Sequence, residues 1–150
     1  MKFVIQRVTR ASVEVDNEII GQIDQGFLVL IGVSNEDDTQ VADKLVKKML
    51  GLRIFQDEEG KTNLSLDSVR GSLLLVSQFT LYADCKKGNR PSFINAGSPD
   101  HADNLYNYII DSCRSAIGSE RVATGSFGAD MKVSLLNDGP FTIILDSRDL

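Results

Sequence analysis

An uninterrupted apolar run from Gly26 to Val33 constrains this chain more than any other feature. The run reads GFLVLIGV and contains no charged side chain. Its β-branched members and its lack of polar positions are typical of a strand that is covered on both faces. The chain is therefore expected to form a sheet with further elements packed against it.

Other segments predict strands around this one. The alternating stretch Ser12 to Val15 is followed by the turn pair Asp16-Asn17 and by Ile19-Ile20, which indicates a hairpin. The remaining predicted strands are Phe3 to Val8, Arg53 to Gln56, Ser72 to Ala83, and two or three strands between Val122 and Ser147. The polar segment from Lys86 to Ser98 predicts a loop.

Two segments have helical patterns. The first follows the capping signal Asp37-Asp38-Thr39, and its apolar stripe consists of Val41, Leu45, Met49 and Leu52. The second begins at Ser98-Pro99, with serine as the cap and proline at the first helical position, and ends near Gly118. Its buried stripe consists of Leu105, Ile109, Cys113 and Ile117. The predicted fold is α+β, a single β-rich domain over residues 1–150 with two main helices.

Composition narrows the classes of function. A chain of 150 residues suits one domain and can fold without a disulfide or a metal. Cys85 and Cys113 are the only cysteines, and no secretion signal accompanies them, so we expect reduced thiols in a cytoplasmic protein. Neither has a second cysteine or histidine at zinc-ligand spacing, so no metal or other cofactor is expected. No apolar run approaches the ~18 residues of a membrane span.

Charge and histidine content set two further limits. The net charge of −5 argues against a protein that grips a long nucleic acid by its phosphates, although a local basic patch is compatible with contact to one RNA end. Hydrolases that activate a serine or cysteine usually use a histidine base. The only histidine is His101, in the first predicted turn of the second helix, where we expect a solvated surface residue.

Polar residues interrupt an otherwise apolar strand pattern in LLLVSQFTLYA, residues 73–83. On a strand, Gln78 and Thr80 would share one face. A buried amide or hydroxyl without a partner costs about 1–3 kcal/mol. These two groups therefore either emerge into solvent or face a pocket and pair with a ligand.

A second polar segment precedes the last predicted strand, Phe141 to Leu145. It reads Asn137-Asp138-Gly139-Pro140, which is typical of a turn, with proline at the strand start where no amide donor is needed. The alternative is that Gly139 allows the backbone to approach another group closely.

Both segments resemble known motifs. Ser77 to Leu81 is similar to the SQxT motif of the D-aminoacyl-tRNA deacylases, and Asn137 to Thr142 is similar to their NxGPxT motif. The resemblance runs from Gln6-Arg7-Val8 to Leu145-Asp146-Ser147 and includes the segments 53–55, 87–93 and 124–129. The order and spacing of these pieces make it specific. Phe141 departs from the valine common in the family, and Thr62 from a methionine common after Gly-Lys.

The resemblance implies a homodimeric hydrolase with the fold of that family. It implies a cis Gly139-Pro140 bond in a turn that reaches into the partner's pocket, where the two backbone carbonyls hold the substrate's α-amino group. An L side chain would collide with this backbone and a D side chain would not. Glycine has no side chain to reject, so glycyl-tRNA, including tRNA-Ala mischarged with glycine, is an expected second substrate. Arg7 resembles the residue that steadies the turn, and an ordinary strand-edge arginine is the alternative.

The same resemblance implies roles around the ester of D-aminoacyl-tRNA. Neither motif contains a histidine, cysteine or lysine, so assistance by the 2′-hydroxyl of the terminal adenosine is expected and Thr80 orients the substrate. The catalytic candidates are Ser77, Gln78, Phe79 and Thr80, with the charge stabilised by a main-chain amide near Phe79. The further substrate-binding candidates are Phe127, Gly128, Ala129 and Met131, for which a place in the core is the alternative. The candidate tRNA contacts are Lys86, Lys87 and Arg90, for which a solvated loop is the alternative.

Two rival functions stay open. One is a non-catalytic nucleic-acid-binding dimer on the same fold, which the acidic composition disfavours. The other is an esterase or amidase for small D-amino acid derivatives.

Overall fold

The sheet is organised around one long strand, β1. The computed structural model describes residues 1–150, and in it β1 pairs with β3 and then β2 along one edge and with β8 along the other. The strands are β1 (Lys2–Val15), β2 (Glu18–Ile23), β3 (Gly26–Gly32), β4 (Arg53–Gln56), β5 (Thr62–Ser65), β6 (Ser72–Ser77), β7 (Val122–Thr124) and β8 (Lys132–Asp146). The helices are α1 (Thr39–Leu50) and α2 (Pro99–Ile117), with 3-10 helices at Phe79–Tyr82, Ser119–Arg121 and Ser147–Asp149.

The sheet curls into an almost closed barrel. Its order is β2-β1-β3-β6-β7, with parallel pairing from β3 to β6 and from β6 to β7, and antiparallel pairing around β1. Gly21 of β2 lies against the backbone carbonyl of Thr124 in β7, where any side chain would overlap that oxygen. This close approach brings the two ends of the sheet together.

The predicted buried strand is confirmed as β3, in which every residue except Leu30 is buried. Its alternate side chains serve two cores. Phe27, Val29 and Ile31 pack toward the helices, whereas Leu28 packs inside the barrel. Each fully buried apolar side chain stabilises the fold by about 1.5–3 kcal/mol, so this strand explains why helices must cover the sheet.

The local signals for the hairpin and the helices are also confirmed. Asp16 and Asn17 adopt left-handed backbone angles (φ 50° and 65°), as a type I′ turn requires. The Asp38 carboxylate accepts from the Val41 amide (2.9 Å) and caps α1. Pro99 opens α2 and Gly118 ends it. Neither α1 nor α2 combines the length and the apolar character that a membrane crossing requires.

Several sequence predictions were wrong in detail. Leu52 follows α1 instead of belonging to it. His101 is not fully solvated, because its Nε2 lies 2.9 Å from the carbonyl oxygen of Asp37. The separate strands predicted for Phe3 to Val8 and Ser12 to Val15 form one strand, because β8 pairs along nearly the whole length of β1.

The strand predicted for Ser72 to Ala83 ends at Ser77. The Gln78 amide still donates to the Ile31 carbonyl (2.7 Å), but β3 ends one residue later and the chain turns into a 3-10 helix. Gln78 and Thr80 therefore do not lie on one face of a strand. A strand needs a paired neighbour, and β6 has none beyond the Ile31–Ser77 pair with β3.

Candidate active site

A cavity of about 680 Å³ opens where β6 ends. Five parts of the chain line it: Ile31 and Val33 around the end of β3, the segment 76–79, residues between 93 and 98, the first turns of α2, and the segment 127–133. Seven of the predicted site residues meet here, namely Ser77, Gln78, Phe79, Phe127, Gly128, Ala129 and Met131. Residues 50 positions apart in sequence are thus brought into one recess.

The turn after β6 determines what the SQFT segment offers. Gln78 precedes the 3-10 helix, and its side-chain Nε2 donates to the Thr80 hydroxyl oxygen (2.6 Å). Thr80 itself is exposed and does not line the cavity. The first amides of a helix lack partners within it, so the Phe79 and Thr80 amides are not used by the 3-10 helix.

The opposite wall is the segment from Gly125 to Met131. Phe127 packs against Tyr106 of α2, with ring centroids 6.1 Å apart. The Met131 thioether occupies the space that a side chain at Gly125 would need. The Gly125 amide and the Tyr106 hydroxyl both donate to the Leu75 carbonyl, at 3.0 and 2.7 Å, which fixes this wall to β6.

Few titratable groups face the cavity. The two that do are Tyr106 and Asp130. Burial raises the pKa of Tyr106 to about 12, so its phenol is neutral at physiological pH. Asp130 is exposed and pairs with Lys132 at 3.1 Å. His101 does not line the cavity, so no histidine is available to a nucleophile there.

The second motif forms a bulge on β8. Gln6 of β1 pairs with Thr142 of β8, and Val8 pairs with Asn137. One residue of β1 therefore lies opposite four residues of β8, and residues 138–141 protrude from the ladder. The strand predicted to begin at Phe141 is thus the second half of β8. The Gly139-Pro140 bond is cis, as the resemblance implies.

Arg7 holds this bulge from behind. It is one of three buried polar residues, and its Nε donates to the Asp138 carbonyl (2.9 Å) while Nη1 donates to the Ile54 carbonyl (2.6 Å). Its guanidinium carbon lies 4.6 Å from the centre of the Phe141 ring. The alternative of an ordinary strand-edge arginine is wrong, because a buried cation with two carbonyl acceptors is a structural clamp.

Asn137 closes the bulge from the front. Its side-chain oxygen accepts from the Phe141 amide (2.6 Å), and its side-chain nitrogen donates to the Phe141 carbonyl (3.2 Å). One amide side chain thereby replaces the missing strand partner of Phe141. Gly139 and Pro140 at the tip are exposed and do not line the cavity of their own chain.

Comparison with known proteins decides the family. The D-Tyr-tRNA(Tyr) deacylase family matches residues 4–146. The chain belongs to this family. A deacylase hydrolyses an ester, so the chain is a hydrolase of carboxylic ester bonds.

One curated relative agrees with the family assignment, and two solved structures share the fold. A D-aminoacyl-tRNA deacylase from Clostridium kluyveri is 53% identical over 150 residues, which is 100% of this chain and 99% of that protein. A solved structure described as a c-Myc DNA unwinding element binding protein is 44% identical, with a TM-score of 0.93 over 97% of this chain and 98% of that one. A structure described as a "probable eukaryotic D-amino acid tRNA deacylase" is 20% identical, with a TM-score of 0.83 over 96% and 97%, and shares the fold.

In this deacylase-family chain, the predicted basic patch lies on a loop beside the cavity. A β-bridge between Asp84 and Ser92 closes the loop, and its three cations, Lys86, Lys87 and Arg90, are all exposed. Phe93 follows the loop and meets Phe79 edge to face, with ring centroids 5.0 Å apart and an interplanar angle of 72°. The loop is therefore anchored to the cavity wall.

The sequence reasoning missed three contributors to the site. Asn137 was part of a motif, but its role as a clamp was not predicted, although an amide can donate and accept at once. Phe93 and Tyr106 line the cavity from the loop and from α2. Phe93 ends a segment that carries the family resemblance, and Tyr106 stands next to the buried stripe of a helix, but neither position by itself indicates the cavity.

Proposed function

We propose that this chain hydrolyses the ester that joins a D-amino acid to the terminal adenosine of tRNA. The observation that carries the proposal is the meeting of Ser77–Phe79 with Phe127–Met131 in one recess. A cavity of about 680 Å³ lies in the range of small-ligand sites. The Phe127 ring and the Met131 thioether suit an adenine, and the Phe79 backbone amide suits an ester.

The chemistry relies on the RNA because the recess offers no strong base. Water attacks the ester carbonyl carbon, and the bond from that carbon to the 3′-oxygen of the ribose breaks. The neighbouring 2′-hydroxyl relays a proton from the water to the leaving 3′-oxygen. The Phe79 amide stabilises the oxyanion, and such a donor is worth about 10²–10³ in rate. Thr80 orients the substrate through Gln78, which lines the cavity and donates to the Thr80 hydroxyl oxygen.

Selection for the D-enantiomer belongs to a two-fold homodimer. The bulge of one protomer enters the cavity of the other, and the Gly139 and Pro140 carbonyls accept from the substrate's ammonium group. An L side chain then meets backbone that cannot move at low cost, so exclusion works for many side chains. Glycyl-tRNA, including tRNA-Ala mischarged with glycine, escapes this exclusion.

The free edge of β8 supports the dimer. β8 pairs only with β1, so its outer edge is unpaired over 15 residues. It carries the exposed apolar side chains Leu135, Leu136 and Ile144, the last 67% exposed. Long apolar edges of this kind pair with another chain. The tip of the bulge lies on the same strand and is exposed, as a residue that completes another protomer's site must be.

The tRNA contact is assigned to the loop between Asp84 and Ser92. Residues 85–91 contain three cations and no acidic side chain, in a chain whose net charge is −5. Such a patch attracts the phosphates of one RNA end without binding long nucleic acids tightly. A tRNA substrate places the protein in the cytoplasm.

The decisive experiment compares D-tyrosyl-tRNA with L-tyrosyl-tRNA as substrates of the purified protein. Hydrolysis of the D-ester alone is expected, and equal hydrolysis of both would contradict the proposal. A terminal 2′-deoxyadenosine is expected to slow the reaction strongly, and unchanged turnover would remove the case for RNA assistance. Light scattering with assays on dilution tests the dimer, because a fully active monomer is incompatible with a shared site.

A second candidate is binding of nucleic acid without catalysis. The observation that favours it is the 44% identical structure described as a DNA unwinding element binding protein. It predicts tight, salt-dependent DNA binding by a protein that hydrolyses neither ester. The remaining alternative, a small-molecule esterase, predicts hydrolysis of D-tyrosine methyl ester at a rate comparable with D-tyrosyl-tRNA.

A further inference from the structure

A second groove lies on the other side of the wall that carries Phe79 and Phe93. Its volume is about 450 Å³. The wall consists of the 3-10 helix Phe79–Tyr82 and the segment 93–97. Phe79 and Phe93 line the cavity, whereas Tyr82 and Ile94 line the groove. The cavity and the groove thus share one wall.

The cavity and the groove adjoin each other at opposite ends of the 3-10 helix. A 3-10 helix rises about 2.0 Å per residue, so Phe79 and Tyr82 are separated by about 6 Å along it. Stacked nucleotides in one strand advance about 3.4 Å, and extended single strands advance further. Successive nucleotides of an extended strand can therefore occupy the cavity and the adjoining groove.

The groove offers apolar surface and free amide groups for a base. Ile94 is 81% exposed, the highest value among the large apolar side chains. Its neighbour Asn95 makes no hydrogen bond through its side chain, and Asn35 uses only its side-chain oxygen, toward the Ser98 amide (2.8 Å). An apolar face flanked by unpaired amides matches the flat surface and the polar edge of a nucleobase.

Two cations at the groove suit the connecting phosphate. The Lys2 ammonium lies 4.8 Å from the centre of the Tyr82 ring and gives one hydrogen to the Leu81 carbonyl (3.2 Å), which leaves two. Arg148 binds Asp146 through Nε and Nη2, which leaves Nη1. Two acidic residues line the groove. Asp37 is paired with the Met1 ammonium group at 2.6 Å, so Glu36 is the one lining anion without a cationic partner.

We propose that the second groove binds the nucleotide that precedes the terminal adenosine in the single-stranded 3′ end of the RNA. The base lies against Ile94 within reach of Asn95, and its phosphate lies near Lys2 and Arg148. This inference rests on the proposed function, because it extends the same substrate by one nucleotide. The wall between the cavity and the groove then separates the terminal adenosine from the nucleotide before it.

The test uses two esters that differ only in the upstream nucleotides: D-tyrosyl adenosine and the D-tyrosyl trinucleotide cytidylyl-cytidylyl-adenosine. One apolar contact and one hydrogen bond together correspond to about 10-fold in affinity, so kcat/KM of the wild type is expected to be about 10-fold higher for the trinucleotide. Ile94→Ala and Asn95→Asp are expected to remove most of this advantage and to leave the adenosine ester unaffected. The matched controls Ile20→Ala and Asn104→Asp change exposed residues that line neither recess, and they are expected to keep the full advantage.

Equal kcat/KM for the two esters in the wild type would overturn the inference, as would an equal loss on both esters in the two groove variants. If neither ester is hydrolysed, the proposed function fails, and binding of the unacylated trinucleotide decides about the groove. Chemical shift changes at the Ala83 and Asn95 amides with the trinucleotide, but not with adenosine, would support it. Changes confined to Gly128 and Ala129 with both ligands, or no binding, would overturn it.

Discussion

The cavity and the Gly139-Pro140 bulge carry the two family motifs, yet they are built in opposite ways. The cavity is a recess whose walls are mostly apolar side chains and backbone from five parts of the chain. The bulge is a protrusion of four residues, fixed by a hydrogen bond that Arg7 donates and by hydrogen bonds that the Asn137 side chain donates and accepts. Many small contacts therefore hold the cavity, whereas two side chains hold the bulge.

Single substitutions should matter most where few side chains hold the structure. A wall made of many dispersion contacts loses little stability when one hydroxyl or one ring contact is removed. A buried guanidinium that serves two carbonyls cannot be replaced by its neighbours. Substitutions in the bulge are therefore expected to cost more activity than substitutions in the cavity wall.

Arg7→Ala should have the largest effect. It leaves the Asp138 and Ile54 carbonyls without their donor and opens a void beside Phe141. We expect the free energy of unfolding to fall by about 3 kcal/mol, and deacylation to fall about 100-fold because the bulge loses its position. Urea titration and single-turnover kinetics measure the two effects. Arg10→Ala, an exposed arginine on the same strand, is the control, and similar losses in both variants would refute a specific clamp.

Gly139→Ala should separate activity from stability. Gly139 has φ 139°, and a side-chain carbon there would lie 3.0 Å from Arg7 Nη2. The backbone cost is about 1–2 kcal/mol, while deacylation is expected to fall at least about 10-fold because the two carbonyls are displaced. Gly60→Ala is the matched control, with φ 78° and open space around it. If both variants keep full deacylation, the bulge has no part in the reaction.

Thr80→Val, next to the cavity, should lower deacylation only modestly. It removes the hydroxyl that accepts from Gln78, without changing the lining of the cavity. Deacylation is expected to fall less than about 10-fold, and no acyl-enzyme should accumulate, because water is the nucleophile. Mass spectrometry during turnover checks this. A trapped ester on Thr80 would show that the threonine attacks the substrate.

Tyr106→Phe should have the smallest effect, at one wall of the cavity. Loss of the bond to the Leu75 carbonyl is expected to cost about 1 kcal/mol near neutral pH. Burial raises the pKa of Tyr106 from 10.0 to about 12, so the neutral phenol favours the folded state. That contribution is fully present below pH 10 and is lost as pH rises toward 12.

Urea midpoints at pH 8 and pH 11 measure this dependence. The wild type should lose more stability than Tyr106→Phe between the two values. Tyr82 and Cys113, whose pKa values burial also raises to about 12, titrate in both proteins. Their contribution therefore cancels in the comparison. An identical loss in both proteins would mean that Tyr106 ionises as freely in the folded chain as in the unfolded one.

Local signals in the sequence determined most of the elements. The Asp16-Asn17 turn, the Asp38 cap and Pro99 at the start of α2 each act within a few residues, so they can be recognised without knowing the rest of the fold. The apolar run of β3 likewise required burial wherever the strand was placed. The sequence also identified both motifs, through their residue order.

Only the tertiary structure decided how these parts meet. β6 ends at the last residue that pairs with β3. The bulge exists because β8 has four residues between Asn137 and Thr142 where β1 has only one. Arg7 becomes a buried clamp through contact with Asp138, 131 residues away. Pairing register and burial of this kind arise from contacts across the whole chain, and no short window of sequence contains both partners.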